Sequence, residues 1–174
     1  MKARANGRIG GALAVQLVIL GSMLVMAVAV VVPVVRGRKL GTERARALGD
    51  LRRLAADITT YHKDTGTWPG GANLAVTDGD PPAGEAHAYG DQSEPIHISK
   101  FLTINQADVD GWHGPYMSMS RSDPWGHRYV VVLEGLQSRE PPYAWALSAG
   151  PDGILETGPS DDEVRGDDLG LRLR

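Results

Sequence analysis

The spacing of hydrophobic residues changes near residue 36, and this change predicts a helix with two different halves. No residue between Arg8 and Arg36 is charged, and this run exceeds the roughly 20 residues that a helix needs to cross a bilayer. Farther along, apolar residues recur at three- and four-residue steps with charged residues between them. These positions are Leu48, Leu51, Leu54, Ala55, Ile58 and Tyr61 or His62. The pattern predicts one helix from about Gly11 to about Lys63, with an apolar first half and an amphipathic second half.

Local signals indicate where this helix bends and where it ends. Pro33 lacks an N–H group and clashes with the preceding turn, so we expect a kink there. Gly66 and Pro69 follow the last periodic positions and supply a stop signal.

The remainder of the chain predicts an irregular region followed by a small sheet. From Gly70 to about Asp110 the sequence is rich in Gly, Pro, Asp and Ala with little periodicity, apart from a short helix expected near Ser99–Gln106. Three β-rich runs follow, and they lie at His127–Gly135, Pro142–Gly150 and Asp168–Arg174. A small antiparallel sheet needs a partner surface, which the amphipathic half of the helix can provide. The predicted fold class is therefore α+β.

Charge is distributed unevenly along the 174 residues. Ten Lys and Arg face two acids up to Arg53, whereas eight face nineteen from Leu54 onward, so the parts carry about +8 and −11 within a total of −3. A basic flank around an apolar run suits anionic lipid, and an acidic globular part argues against nucleic acid as a partner. The sequence has no cysteine, which excludes disulfides and thiol catalysis.

No motif of a known enzyme class is present. The five histidines are scattered without the H-E-x-x-H spacing of a catalytic zinc site. No G-x-S-x-G elbow, Walker loop or dinucleotide fingerprint occurs either. We therefore expect a protein that is not an enzyme.

The apolar run has a second interpretation. Ala27-Val28-Ala29 fits the A-x-A cleavage site of a signal peptide, and cleavage after Ala29 would release a soluble periplasmic calcium-dependent binding protein. Against this stands the sequence VVVPVV, which continues beyond the cut and would leave exposed apolar residues at the new N-terminus.

Four segments in order resemble the type IV pilin-like family, and within it the major pseudopilin of type II secretion systems. They are the basic leader MKARANGRIGG before an apolar helix with Pro33, the series Asp50, Tyr61, Asp64 and Trp68-Pro69, the pair GWHGPYM (Gly111–Met117) and DPWGHRYVV (Asp123–Val131), and LSAGPDG (Leu147–Gly153). The match covers most of the chain.

The resemblance implies a pilin-like fold and a structural role. It divides the chain into a leader peptide (1–11), a transmembrane half of the helix (12–35), its amphipathic half (36–66), a variable irregular region (67–122) and an antiparallel sheet with a C-terminal acidic loop (123–174). A prepilin peptidase would cut between Gly11 and Ala12. The product would be a single-pass inner-membrane protein with a periplasmic domain, which assembles with itself, with other pseudopilins and with the inner-membrane secretion platform. A minor subunit at the filament tip is an alternative.

Gln16 departs from the family pattern. It occupies the fifth mature position, where the family usually carries a glutamate that compensates the charge of a neighbour's N-terminal amine. A charge at membrane depth is costly unless it is paired. Glutamine can accept a hydrogen bond from that amine but cannot neutralise it, so either a different pilin-like partner supplies the glutamate or this chain tolerates a weaker contact.

The resemblance also implies a Ca²⁺ site in the C-terminal loop. Asp152 offers a carboxylate, and Leu147 and Ser148 offer backbone carbonyls from a glycine-rich turn. The further carboxylates come from one of two pairs, either Asp161 and Asp162 or Asp167 and Asp168. The sequence leans to the second pair, because a leucine follows it as an isoleucine does in the family. The spacing is not that of an EF-hand.

Overall fold

A computed structural model describes residues 16, 26, 40–70, 74–85, 95–106, 108–118, 120–133, 136 and 143–173. The chain divides into two compact units, Met1–Gly41 and Thr42–Arg174. In the first unit Gln16, Met26, Leu40 and Gly41 are helical and exposed. Across the described residues, none of the helices has the length and apolarity that crossing a membrane requires. Most of the predicted transmembrane half, 12–35, lies outside the described residues.

The amphipathic helix is present and buries the face that its spacing predicts. Residues 40–65 are helical and are called α1. Its buried side chains follow alternating four- and three-residue steps, and they are Ala47, Leu51, Leu54, Ile58 and Tyr61. The helix ends where the sequence predicts, because Gly66 has a positive φ of 70° and its N–H donates to the carbonyl of His62 at 2.8 Å.

Five short strands form one mixed sheet. They are β1 (Leu74–Val76), β2 (Ile96–His97), β3 (Val130–Val132), β4 (Trp145–Ser148) and β5 (Leu169–Arg172), in the order β2-β1-β3-β4-β5. The α+β prediction is confirmed, with a helix packed on a small sheet. A four-residue helix, α2, spans Ser99–Leu102 within the predicted short helix.

The prediction of a purely antiparallel sheet is wrong, because β2 pairs with β1 in parallel. The other three pairings, β1 with β3, β3 with β4 and β4 with β5, are antiparallel. A parallel pair needs a crossover connection of a dozen or more residues, and the chain between Val76 and Ile96 is long enough. Both β1 and β2 come from the region 67–122, where the sequence shows little periodicity.

Both faces of the sheet are covered. Ala75, Val131 and Ala146 lie in one hydrophobic cluster with α1 side chains such as Leu51 and Ile58. The alternate strand residues, including Val130, Val132 and Trp145, form a second cluster with Ala149 and Leu155 of the C-terminal loop. Strands buried on two faces show continuous apolar runs rather than alternation, which explains the VVV and WAL sequences of β3 and β4.

Candidate functional site

The GWHGPYM segment, Gly111–Met117, packs against the C-terminal end of α1. The Tyr116 hydroxyl donates to Asp64 Oδ2 at 3.0 Å and accepts from the His113 N–H at 2.8 Å. The Tyr116 ring meets the buried Tyr61 ring edge to face, with centroids 5.6 Å apart. Trp112 donates from Nε1 to the Phe101 carbonyl at 2.8 Å. Through these contacts, the segment Gly111–Met117 connects the end of α1 to α2.

Gly111 is required by this packing. Its φ is 76°, and a Cβ placed there would lie 2.6 Å from the Asp64 carbonyl oxygen. Any other residue would combine a left-handed backbone with a steric clash against α1. The glycine of the G-W-x-G-P-Y pattern therefore permits close contact with the helix.

The DPWGHRYVV segment, Asp123–Val131, is organised by the buried carboxylate of Asp123. Its Oδ1 accepts from the Trp125 N–H at 3.0 Å and from the His127 N–H at 2.9 Å, which closes the turn before β3. Its Oδ2 accepts from the Ser148 hydroxyl at 2.6 Å. Asp123 is 3% exposed, so its charge is compensated by these three donors rather than by water. The aspartate joins the turn to the end of β4.

Tyr129 connects the same segment to the helix. Its hydroxyl donates to Asp50 Oδ2 at 3.3 Å, and the ring is buried. Burial and the nearby Asp50 carboxylate raise the pKa of the Tyr129 phenol far above its ordinary value. The phenol therefore stays protonated and remains a hydrogen-bond donor to α1.

The exit of β4 and the entry of β5 meet at one edge of the sheet, because the two strands are antiparallel and Ser148 pairs with Leu169. This pairing brings the turn after β4 next to the two aspartates that precede β5. Gly150 has a φ of 67°, and a Cβ there would clash with the Asp167 carbonyl oxygen. The LSAGPDG turn and the Asp167-Asp168 pair are therefore neighbours in space.

The carboxylates of Asp152 and Asp167 lie together in this loop. The Asp152 N–H donates to Asp167 Oδ2 at 3.3 Å, and Asp152 Oδ1 accepts from the Ile154 N–H at 2.8 Å. Burial, reinforced by the Asp152 side chain, raises the pKa of the Asp167 carboxyl. The Oδ1 atom of Asp167 is buried and has no hydrogen-bond partner among the described residues.

Asp168 is held by a different set of contacts. Its Oδ2 accepts from the N–H groups of Glu156 and Thr157 at 3.0 and 2.7 Å, and from the Thr157 hydroxyl at 2.7 Å. Burial raises the pKa of the Asp168 carboxyl, and the Thr157 hydrogen bonds act in the opposite direction. Its Oδ1 is also buried without a partner among the described residues. Asp168 Oδ2 thus fixes the conformation of the loop, whereas Oδ1 accepts no hydrogen bond from the described residues.

The alternative pair occupies another part of the loop. Asp161 Oδ2 accepts from the Gly158 N–H at 2.8 Å, and Asp161 Oδ1 forms an ion pair with Arg165. Asp162 is exposed. The two contacts of the Asp161 carboxylate are therefore local, namely a turn and a surface ion pair, while its backbone carbonyl accepts from Trp145 Nε1 at 3.2 Å.

The donor chemistry at Asp152 and Asp167 fits a hard cation in part. The carboxylates of Asp152 and Asp167 are adjacent, and the Oδ1 atoms of Asp167 and Asp168 are buried without a hydrogen-bond partner among the described residues. Ca²⁺ would neutralise these negative charges and coordinate these oxygens. However, among the described residues no three or more His, Cys, Asp or Glu side chains are grouped so that they could hold a metal ion. Leu147 and Ser148, the predicted carbonyl donors, lie in β4 and are fully buried.

Of the predicted processing and assembly residues, Gln16 is described as helical and exposed. Gly11, Ala12 and Pro33 lie outside the described residues.

Sequence reasoning did not identify the roles of Thr157 or of Glu85 and Arg128. Arg128 Nε and Nη2 donate to the two Glu85 carboxylate oxygens at 3.0 and 2.7 Å, and Glu85 is 6% exposed. These partners are 43 residues apart, and Glu85 lies in the region without periodicity, so no local signal connects it with Arg128. The D-P-W-G turn was a usable signal for Asp123, since Asp before Pro commonly begins a turn.

Comparisons of the chain with protein-family models, with curated proteins and with solved structures found no match.

Proposed function

We propose that this chain is a structural subunit of a type II secretion pseudopilus or a related type IV filament. It would be made as an inner-membrane precursor with its C-terminal domain in the periplasm and processed by a prepilin peptidase. The assembled filament would help to drive protein secretion. The chain would perform no chemistry of its own.

The observation that carries the proposal is that the segments Gly111–Met117 and Asp123–Val131 both form hydrogen bonds with α1. In Gly111–Met117, the Tyr116 hydroxyl donates a hydrogen bond to Asp64 at the end of α1. In Asp123–Val131, the Tyr129 hydroxyl donates to Asp50 in the middle of α1. A filament subunit needs a domain held rigidly on the helix that forms the shared axis. In this chain, one residue from each of these two segments makes a hydrogen bond to α1.

The proposed assembly contact lies at the N-terminus. Cleavage after Gly11 would place the amine of Ala12 near Gln16 of a neighbouring subunit, where the amide oxygen accepts a hydrogen bond from the amine. Small residues such as Gly21, Ala27 and Ala29 would allow apolar helices to approach closely.

We further propose that the C-terminal loop binds Ca²⁺ through Asp152 and Asp167, with Asp168, Leu147 and Ser148 as further oxygen donors. The contact between the first two aspartates supports this choice over Asp161 and Asp162. Bound calcium would neutralise carboxylates that otherwise repel each other.

Calcium would stabilise the folded chain by mass action, by about 2.7 kcal/mol at a hundredfold excess over its dissociation constant. Asp167→Asn should abolish this gain in urea unfolding, whereas Asp161→Asn should keep it. Equal loss in both variants, or no effect of calcium on the unmodified chain, would contradict the site.

Processing separates the proposal from its rivals. The precursor should be expressed in cells with and without a prepilin peptidase, and the intact mass of the purified chain should be measured. We expect a product that starts at an N-methylated Ala12 only when the peptidase is present. A product that starts at Val30, eighteen residues later, would instead indicate a soluble periplasmic protein released by a signal peptidase.

A further inference from the structure

A cavity of about 420 Å³ lies between α1, residues 115–118 with Arg121, and Thr77 at the end of β1, and no residue of the acidic C-terminal loop lines it. Its size is within the range of about 300–1,000 Å³ typical of small-molecule sites. Its lining is mixed. Leu54, Met117 and Pro115 contribute apolar surface, and two tyrosines, Tyr116 and Tyr129, contribute rings.

The charges that line the cavity differ in how deeply they lie. Asp50 and Asp57 come from α1, seven residues apart and therefore on one face of the helix. Both carboxylates are half-buried. The two arginines in the lining, Arg53 and Arg121, are exposed. Water and salt screen exposed charges strongly, whereas half-buried charges are screened much less. The charges of the two carboxylates are therefore screened less than those of the two arginines.

Asp57 is the less compensated of the two acids. It accepts no hydrogen bond from any described residue, and burial raises the pKa of its carboxyl while Arg53 opposes the change. Asp50 already accepts from the Tyr129 hydroxyl and lies 3.8 Å from the exposed guanidinium of Arg46. A ligand that brought a positive charge would supply the donor that Asp57 lacks.

The tyrosines favour the same class of ligand. Their hydroxyls are already bonded to Asp64 and Asp50, so the rings are held in place by the helix. Tyr129 is 3% exposed, so the half-buried Tyr116 is the ring that a ligand could reach, and a cation over its face would be attracted to it. Apolar neighbours such as Met117 would cover the carbon part of the ligand.

We propose that this cavity binds a small organic cation, an amine or ammonium group on an apolar body, with Asp57 as its main charge partner. This site does not rest on the filament proposal, because every residue that forms it belongs to the globular unit 42–174.

Benzylamine is a suitable probe, with benzyl alcohol as its uncharged counterpart and benzoate as its negatively charged counterpart. Binding to the full-length chain should be measured by calorimetry, and its location by the ¹³C-methyl NMR signal of Met117, assigned with Met117→Leu. We expect benzylamine to bind and to shift this signal, and benzyl alcohol to bind about tenfold more weakly, as for loss of a charged hydrogen bond.

Charge-neutralising variants test the sign of the field. Asp57→Asn should weaken benzylamine binding about tenfold, and Asp50→Asn provides a second test if the first variant does not fold. Arg121→Gln should leave the affinity unchanged or raise it. Asp110→Asn, at an exposed acid outside the cavity, is the matched control and should have no effect.

Several results would overturn the proposal. They are no benzylamine binding at millimolar concentration, equal or tighter binding of benzoate or benzyl alcohol, an unmoved Met117 signal, or an affinity unchanged by the aspartate substitutions.

Discussion

The hydrogen bond between Ser148 and Asp123 should be among the strongest single side-chain contacts in the globular unit. It joins a hydroxyl to a buried carboxylate at 2.6 Å, and it connects the turn before β3 to the end of β4. Hydrogen bonds to charged groups contribute about 1.5–3 kcal/mol each. Asp123→Ala would also leave the N–H groups of Trp125 and His127 without an acceptor. We therefore expect a loss of about 3–5 kcal/mol in the free energy of unfolding.

A double-mutant cycle isolates the contact itself. Ser148→Ala alone removes both this bond and the weaker acceptor for the Gly150 N–H at 3.3 Å, and the second effect cancels in the cycle. Asp123→Asn is unsuitable for this cycle, because its side-chain amide could donate to the Ser148 hydroxyl and replace the bond. Asp123→Ala is used instead, since its loss of the turn acceptor cancels in the cycle, and we expect a coupling energy of about 1.5–3 kcal/mol between Ser148→Ala and Asp123→Ala.

The assay is urea unfolding of the full-length chain, monitored by tryptophan fluorescence in the same detergent for every variant. All four tryptophans of the sequence lie in the unit 42–174, so the signal reports that unit alone; they are Trp68, Trp112, Trp125 and Trp145. The slope of the free energy with urea should be unchanged. Exposed Asp110→Ala should change stability by less than about 0.5 kcal/mol. A coupling energy below that value would refute the assigned role of the bond.

Three further predictions concern other parts of the chain. Gly111→Ala should destabilise the unit by about 2–3 kcal/mol in the same assay, since it combines positive φ with a 2.6 Å approach to Asp64, and an unchanged midpoint would contradict this packing. The raised pKa of Tyr129 means that the unfolded chain loses this phenolic proton first, so stability should fall as pH rises above about 10, and Tyr129→Phe should flatten that fall. Gln16→Glu should maintain or strengthen assembly, and loss of filaments on this change would refute the pairing with a neighbour's amine.

The sequence predicts α1 well because its signals are local. Each buried residue of the helix is three or four positions from the next, and Gly66 ends the helix through a backbone conformation that glycine adopts readily. The strands β3, β4 and β5 lie within the predicted β-rich runs for the same reason. The pairing of β3 with β4 joins strands that are neighbours along the chain, whereas the pairing of β4 with β5 spans the C-terminal loop.

The parallel strand β2 could not be predicted in this way. It has two residues, Ile96 and His97, and its pairing with β1 spans twenty residues of sequence without alternation. Two residues carry too little periodic signal to distinguish a strand from a loop. Tertiary contacts hold these two residues in place, since the adjacent Ile98 is fully buried and donates from its N–H to the Val76 carbonyl at 2.9 Å.

The choice between the acidic pairs shows a similar limit. Asp161-Asp162 and Asp167-Asp168 have nearly the same local chemistry, so spacing alone leaves both open. The antiparallel pairing of Ser148 with Leu169 places the second pair against the turn at Gly150. Register, which depends on long-range contacts, therefore carries the information that the local sequence lacks.

The most direct test of a filament role is electron microscopy of cells that express the chain together with type II secretion assembly proteins. We predict thin filaments that an antibody to the globular unit labels, present with the unmodified precursor and absent when the cut between Gly11 and Ala12 is blocked. A chain that stays a soluble periplasmic monomer, with no labelled filaments, would contradict the proposed function.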